Sequence, residues 1–151
     1  LNQEDVKRRI LEISRDNART PMQWDSSKNS GFTKGKPWLK VADSYYKTRN
    51  VQQESLNPDS VLNFYKKILH LRKKKKLQHI IVNGSFTPLE EESPTSFAFK
   101  RSLLGNSLVF YGNFSNEIID VPSQYILKKT IISNGLFDEK LKPYGFVVTV
   151  G

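Results

Sequence analysis

Two arginines four residues apart, Arg15 and Arg19, stand with Asp16 and Asn17 in the stretch Ser14–Asp25, SRDNARTPMQWD, which Pro21 keeps from continuing as a helix. A guanidinium is a planar, permanently charged fork whose donors grip hydroxyls or a carboxylate in a fixed direction. Two of them crowded with a carboxylate into a few residues of loop form a polar recognition surface. Such surfaces gather on loops held by a rigid scaffold. The residues that would add metal or cofactor chemistry are missing. There is no histidine cluster, no phosphate-cradling glycine loop and no calcium-loop pattern, so no metal and no cofactor is expected. His70 reads as a packed or half-exposed residue beside an apolar helix face, and His79 has no carboxylates around it.

The elements that must position this stretch follow from periodicity. Glu4–Ile13 puts Val6, Ile10 and Ile13 at helical spacing, with Asn2 able to cap and Asp5 suited to the positive end. Residues 15–57 carry turn signals at Asp25, Asn29–Gly31, Gly35–Pro37, Asp43 and Asn57–Pro58, and little regular periodicity. A structureless stretch of that length is usually functional or disordered. Its rings, Trp24, Phe32, Trp38, Tyr45 and Tyr46, can bury against a scaffold or stack on the flat face of a ligand. A second helix follows, capped by Asn57 with Pro58 in its first turn, its apolar face running from Val61 through Leu71.

From Leu77 the pattern turns to alternation. Strands are predicted at His79–Val82, Ser85–Leu89, Ser96–Arg101, Ser107–Asn113, Glu117–Val121, Lys129–Ser133 and Gly145–Val150, separated by turn residues. Seven short strands at this spacing indicate an antiparallel β-sandwich. Phe97, Phe99, Phe110, Tyr111 and Phe114 alternate as sheet packing does, rather than as an exposed sugar platform.

The 151 residues suit one domain and cannot contain a (β/α)8 barrel, which needs about 250. The net charge of +9 is concentrated in Lys66, Lys67 and Arg72–Lys76. Without a nucleic-acid motif or interleaved stacking rings, that cluster reads as a solvated helix end, so no nucleic-acid partner is expected. No apolar run reaches membrane-span length and Leu1 opens a polar segment, which predicts a soluble chain without a membrane partner. Zero cysteines fit a reducing cytoplasm.

The stretch SRDNARTPMQWD, followed by NSGFTKGKPWLKV at Asn29–Val41, NVQQES at Asn50–Ser55 and NPDSVLNFYKKILHLRK at Asn57–Lys73, closely resembles the oligo-1,6-glucosidase subfamily of glycoside hydrolase family 13. Dextran glucosidases and trehalose-6-phosphate hydrolases share the pattern. The resemblance implies an α+β fragment. Residues 1–76 would be the end of a catalytic barrel (short helix, substrate loop 14–57, last barrel helix 58–75), and residues 77–151 a β-sandwich entered at its last strand through Lys142-Pro143-Tyr144. It further implies that Arg15 hydrogen-bonds the terminal glucose before the scissile bond and that Arg19 lies near the leaving-group subsite. For Arg19, sugar contact and pairing with a carboxylate both stay open. Asp16, Asn17, Gln23 and Trp24 would be supports behind them.

Retaining hydrolysis needs two carboxyl groups about 5 Å apart. The family takes its nucleophile, its acid and a further Asp from earlier barrel strands whose motifs are not in this sequence. Asp16 and Asp25 lack the expected context, and Glu90, Glu91 and Glu92 read as a solvated run. The expectation is a recognition part of an exo-acting α-glucosidase on α-1,6-linked, and secondarily α-1,4-linked, gluco-oligosaccharides, inactive by itself. A trehalose-6-phosphate hydrolase and a stand-alone structural or sugar-binding module are the alternatives, and oligomeric state stays open.

Overall fold

The structure is a computed structural model that describes residues 2–41, 46–89 and 93–151. Tyr45, the Asp43 turn and the run Glu90–Glu92 lie outside the described residues, as does the side chain of Asn17. The chain forms two compact units, residues 1–66 and 67–151.

In the first unit, helix α1 spans Gln3–Ile13. Asn2 caps it as its sequence suggests, the side-chain oxygen accepting from the Asp5 amide at 2.8 Å. None of its residues is buried, and Ile13 is 80% exposed. The apolar stripe of α1 therefore has no partner within the described residues. Helix α2, Val51–Leu56, interrupts what the sequence suggests is irregular chain. Its six residues are too few to declare a period. What makes it helical is Asn50, whose side chain accepts from Gln53 N at 2.9 Å while donating to the Tyr46 carbonyl at 2.7 Å.

Helix α3, Val61–Lys73, starts later than the expected Asn57 cap. Asn57 instead closes α2, with its N–H on the Gln53 carbonyl. Ser60 takes over at the start of α3, its hydroxyl accepting from Asn63 N at 3.1 Å and donating to the Glu54 carbonyl at 2.6 Å. Lysines 66, 67 and 73–76 and Arg72 are exposed.

The second unit opens with a correction. The run His79–Val82, expected as a strand, lies in helix α4, Lys75–Asn83. Its β-branched Ile80, Ile81 and Val82 favour extended chain locally. Yet Leu77, Ile80 and Ile81 also stand at helical spacing, and burial of Ile80 decides for the helix. Lys74, with an extended backbone, separates α4 from α3.

Six strands follow: β1 Ser85–Pro88, β2 Ser96–Leu103, β3 Asn106–Asn113, β4 Ile119–Asp120, β5 Lys129–Phe137 and β6 Lys140–Val150. They form one antiparallel sheet in the order β1-β2-β3-β6-β4, with β5 on the other edge of β6. Two-residue turns close β2–β3 at Leu104-Gly105 and β5–β6 at Asp138-Glu139. All four residues have positive φ, the requirement of a tight hairpin. A bulge at Ile131 in β5 and an irregularity at Lys142–Gly145 of β6, opposite Gly135, curl the sheet. Lys142-Pro143-Tyr144, expected at a strand entry, lies inside β6 between its pairings with β4 and β3.

Pleating sorts the side chains onto two faces. On one, Ala98, Val109, Tyr111 and Val147 pack with Val121, Tyr125 and Leu141 as the core, and the Tyr111 and Tyr125 rings lie 5.2 Å apart. On the other, Phe86, Phe99, Phe110 and Phe146 run as a row across four strands at 5.3, 5.3 and 5.8 Å. The aromatics of this region are thus largely sheet packing. Phe97 and Phe114 keep exposed rings.

Candidate functional site

The two arginines flank a single 3-10 turn, Asp16–Ala18. Ser14 receives the Asp16 amide on its hydroxyl at 3.2 Å, Ala18 N donates to the Arg15 carbonyl at 3.1 Å, and Arg19 N to the Asp16 carbonyl at 3.0 Å. The turn brings Arg19 back over its own start. Its Nη2 reaches Asp16 Oδ1 at 2.9 Å, its Nε donates to the Arg15 carbonyl at 3.4 Å, and its guanidinium lies 5.8 Å from the centre of the Trp38 ring. Arg15 is different. Its side chain is exposed and makes no hydrogen bond or ion pair among the described residues. One guanidinium is committed to protein and the other is available to a ligand.

Gln23 and Trp24 anchor the stretch through their main chains. Their carbonyls accept from Val51 N and Gln52 N, both at 3.0 Å, at the start of α2. The Trp24 ring itself is about half exposed. Downstream, a left-handed turn at Asn29, Ser30 and Gly31 returns the Ser30 carbonyl to the amides of Trp24, at 2.9 Å, and Asp25, at 3.2 Å. At Asn29 and Ser30, which are not glycine, positive φ is costly, and the hydrogen bonds that converge here hold them. Asn29 adds two through Nδ2, to the carbonyls of Thr33 at 3.0 Å and Gly35 at 2.8 Å.

Asp25 accepts the Ser27 amide at 2.8 Å. Hydrogen bonds from the Ser27 side chain and amide hold its carboxyl below the usual aspartate range. Both carboxylates of Ser14–Asp25 accept hydrogen bonds from protein, Asp16 from Arg19 and Asp25 from Ser27. Among the described residues no group of three or more His, Cys, Asp or Glu could hold a metal ion. No helix there is long and apolar enough to cross a membrane.

Sequence reasoning singled out the arginines, marked Asn29 only as a turn residue, and gave Asn50, Ser60 and Asn63 no role of their own. Asparagine at turns and caps was the available signal. Trp38 was weighed only as one ring among several, since its 19-residue separation from Arg19 leaves no periodic trace.

The alpha-amylase catalytic-domain family model matches residues 1–83. The oligo-1,6-glucosidase of Halalkalibacterium halodurans is 38% identical over 148 residues, 91% of this chain and 26% of that protein. The trehalose-6-phosphate hydrolase of Escherichia coli is 38% identical over 105 residues, 70% of this chain and 18% of that protein. Among solved structures, an isomaltulose synthase variant from Erwinia rhapontici NX5 in complex with sucrose superposes with a TM-score of 0.79 at 31% identity, covering 99% of this chain and 28% of that one. The chain thus spans about a quarter of the length of the relatives it matches across most of its residues. A matching family model over more than half the residues, with the arginine stretch and its anchoring turns inside the match, shows that the chain belongs to the alpha-amylase family, glycoside hydrolase family 13.

Proposed function

We propose that this chain is the carboxyl-terminal part of an exo-acting, retaining α-glucosidase of the oligo-1,6-glucosidase type. In this reading residues 1–76 complete a catalytic barrel and residues 77–151 form its sandwich-type supporting domain. The substrate is a gluco-oligosaccharide with a terminal α-1,6-linked, or secondarily α-1,4-linked, glucose. Arg15 grips that glucose, Asp16, Asn17, Gln23 and Trp24 support it, and the nucleophile and acid belong to protein outside these residues. Kinship to oligo-1,6-glucosidases supports the substrate class. The exposed apolar stripe of α1 supports further protein packing there. Absence of cysteine accords with a cytoplasmic enzyme.

The observation that carries this reading is the exposed Arg15 guanidinium, without a hydrogen bond or ion pair among the described residues, beside a turn whose other arginine is held by Asp16, the Arg15 carbonyl and Trp38. A fork that donates to sugar hydroxyls contributes about 1.5–3 kcal/mol as charged hydrogen bonds. Arg15→Lys in the parent enzyme should therefore lower kcat/KM for isomaltose by roughly tenfold to a hundredfold without changing the unfolding midpoint. Unaltered kinetics would remove Arg15 from the pocket.

Kinship to a trehalose-6-phosphate hydrolase favours a second reading. Lys28, Lys34 and Lys36 are exposed in the same loop and would face the phosphate. Assaying the parent on isomaltose and on trehalose 6-phosphate separates the two. Turnover of the phosphorylated disaccharide alone would select the second.

A further inference from the structure

We propose that Trp38 is a positioning residue for the Arg15 subsite: its indole holds the Arg19 guanidinium, and Arg19 in turn fixes the turn from which Arg15 projects. The inference rests on the reading of Arg15 as the sugar-binding fork, and it separates the two arginines by role.

Arg19 is held on three sides. Nη2 is on Asp16 at 2.9 Å, Nε faces the Arg15 carbonyl at 3.4 Å, and the cation lies 5.8 Å from the Trp38 ring centre. An ion pair between exposed side chains leaves a long arginine free to wander. The indole face removes that freedom, because guanidinium and ring attract most strongly when one lies over the other. Trp38 is 72% exposed, so burial of its own surface does not explain its position.

The Arg15 carbonyl already accepts from Ala18 N at 3.1 Å, and Arg19 Nε is its second donor. Unwinding the turn would break both bonds at once. Asn29 holds the carbonyls of Thr33 and Gly35, in the loop that leads to Trp38. Contacts then run from Trp38 through Arg19 to the backbone of Arg15. With Nη2 and Nε held by protein, Arg19 acts through Arg15.

The test follows the arginine Nε–H resonances of the 151-residue chain. A cation over an indole face is shifted upfield by the ring current, so Arg19 Nε–H should resonate upfield of Arg15 Nε–H. Trp38→Leu should abolish that shift and loosen the amides of Asp16–Arg19, and Trp38→Phe should restore both in part. In the parent enzyme, Trp38→Leu should raise KM for isomaltose roughly threefold to tenfold, with kcat less affected and Trp38→Phe recovering most of the loss. Unchanged Arg19 resonances and turn amides in Trp38→Leu would overturn the proposal, as would an unchanged KM. A parent that does not hydrolyse isomaltose overturns the glucosidase reading alone, because the resonances still decide the role of Trp38.

Discussion

Gly31 lies against Asp25 so closely that a β-carbon on it would meet Oδ2 at 2.5 Å. Its φ of +67° is also one that side chains resist. Gly31→Ala should cost about 1–3 kcal/mol. Denaturant unfolding followed by tryptophan fluorescence measures this, since Trp24 and Trp38 both report on the first unit. In a double-mutant cycle, Asp25→Ala should recover part of the loss by removing the clash and leave the part due to φ. Full additivity would show that the carboxylate does not press on Gly31.

Asp25 gives the loop a dependence on acid. Its carboxyl titrates below the usual aspartate range because Ser27 hydrogen-bonds the ionised form. A folded pKa below the unfolded one contributes stability that is present above the unfolded value, about pH 4, and is lost as pH falls through the folded value. NMR titration should place the Asp25 midpoint below that of an unfolded peptide. Ser27→Ala, which keeps the amide and removes the hydroxyl, should raise it partway. A midpoint unmoved by Ser27→Ala would assign the effect to the amide alone.

Asn63 joins α2 to α3. Its Nδ2 lies 3.0 Å from the Glu54 carbonyl, 3.2 Å from that of Ser55 and 2.7 Å from that of Asn57, at the carboxyl end of α2. Glu54 returns the favour, its Oε2 accepting from Leu62 N at 3.3 Å at the start of α3. Asn63→Ala should destabilise the first unit by about 1–3 kcal/mol, read as a lowered urea midpoint. Asn63→Asp should be at least as harmful, since it replaces a donor by a charge facing carbonyl oxygens.

The β2–β3 turn carries a correctable defect. Leu104 sits at φ +48°, 92% exposed, where a hairpin of this kind prefers asparagine. Leu104→Asn creates the Asn-Gly pair that favours the turn and should stabilise the second unit by up to about 1 kcal/mol. A rise of a few degrees in Tm is the expected reading. No change would mean that the register of β2 and β3, not the turn, sets the cost.

What the sequence made legible divides along physical lines. The β2–β3 hairpin was readable because pleating enforces alternation and Gly105 marks its turn, whereas Asn134-Gly135, which as turn residues ended the expected strand at Ser133, lies inside β5. Helix α1 was readable through its cap and its stripe. The β5–β6 turn at Asp138-Glu139 was harder, since neither residue is a glycine or an asparagine. His79–Val82 misled because a β-branched run favours a strand locally, whereas packing of α4 on the sheet is non-local. Arg15 and Arg19 stood out by residue type. That Arg19 is held by its own turn and by Trp38, while Arg15 has no hydrogen bond or ion pair among the described residues, is set by the folded loop.

Strand β6 is the seam of the sheet: β3 and β4 share one of its edges and β5 holds the other. The meander β1–β2–β3 can assemble from neighbours in sequence, but the edge of β3 at Leu108–Gly112 stays open until a partner some forty positions away arrives. An incompletely assembled sheet thus offers a bare, apolar hydrogen-bonding margin to any other extended chain. Recovery of soluble protein should therefore be most sensitive to changes in the half of β6 that pairs with β3, and substitutions there should appear first as precipitation.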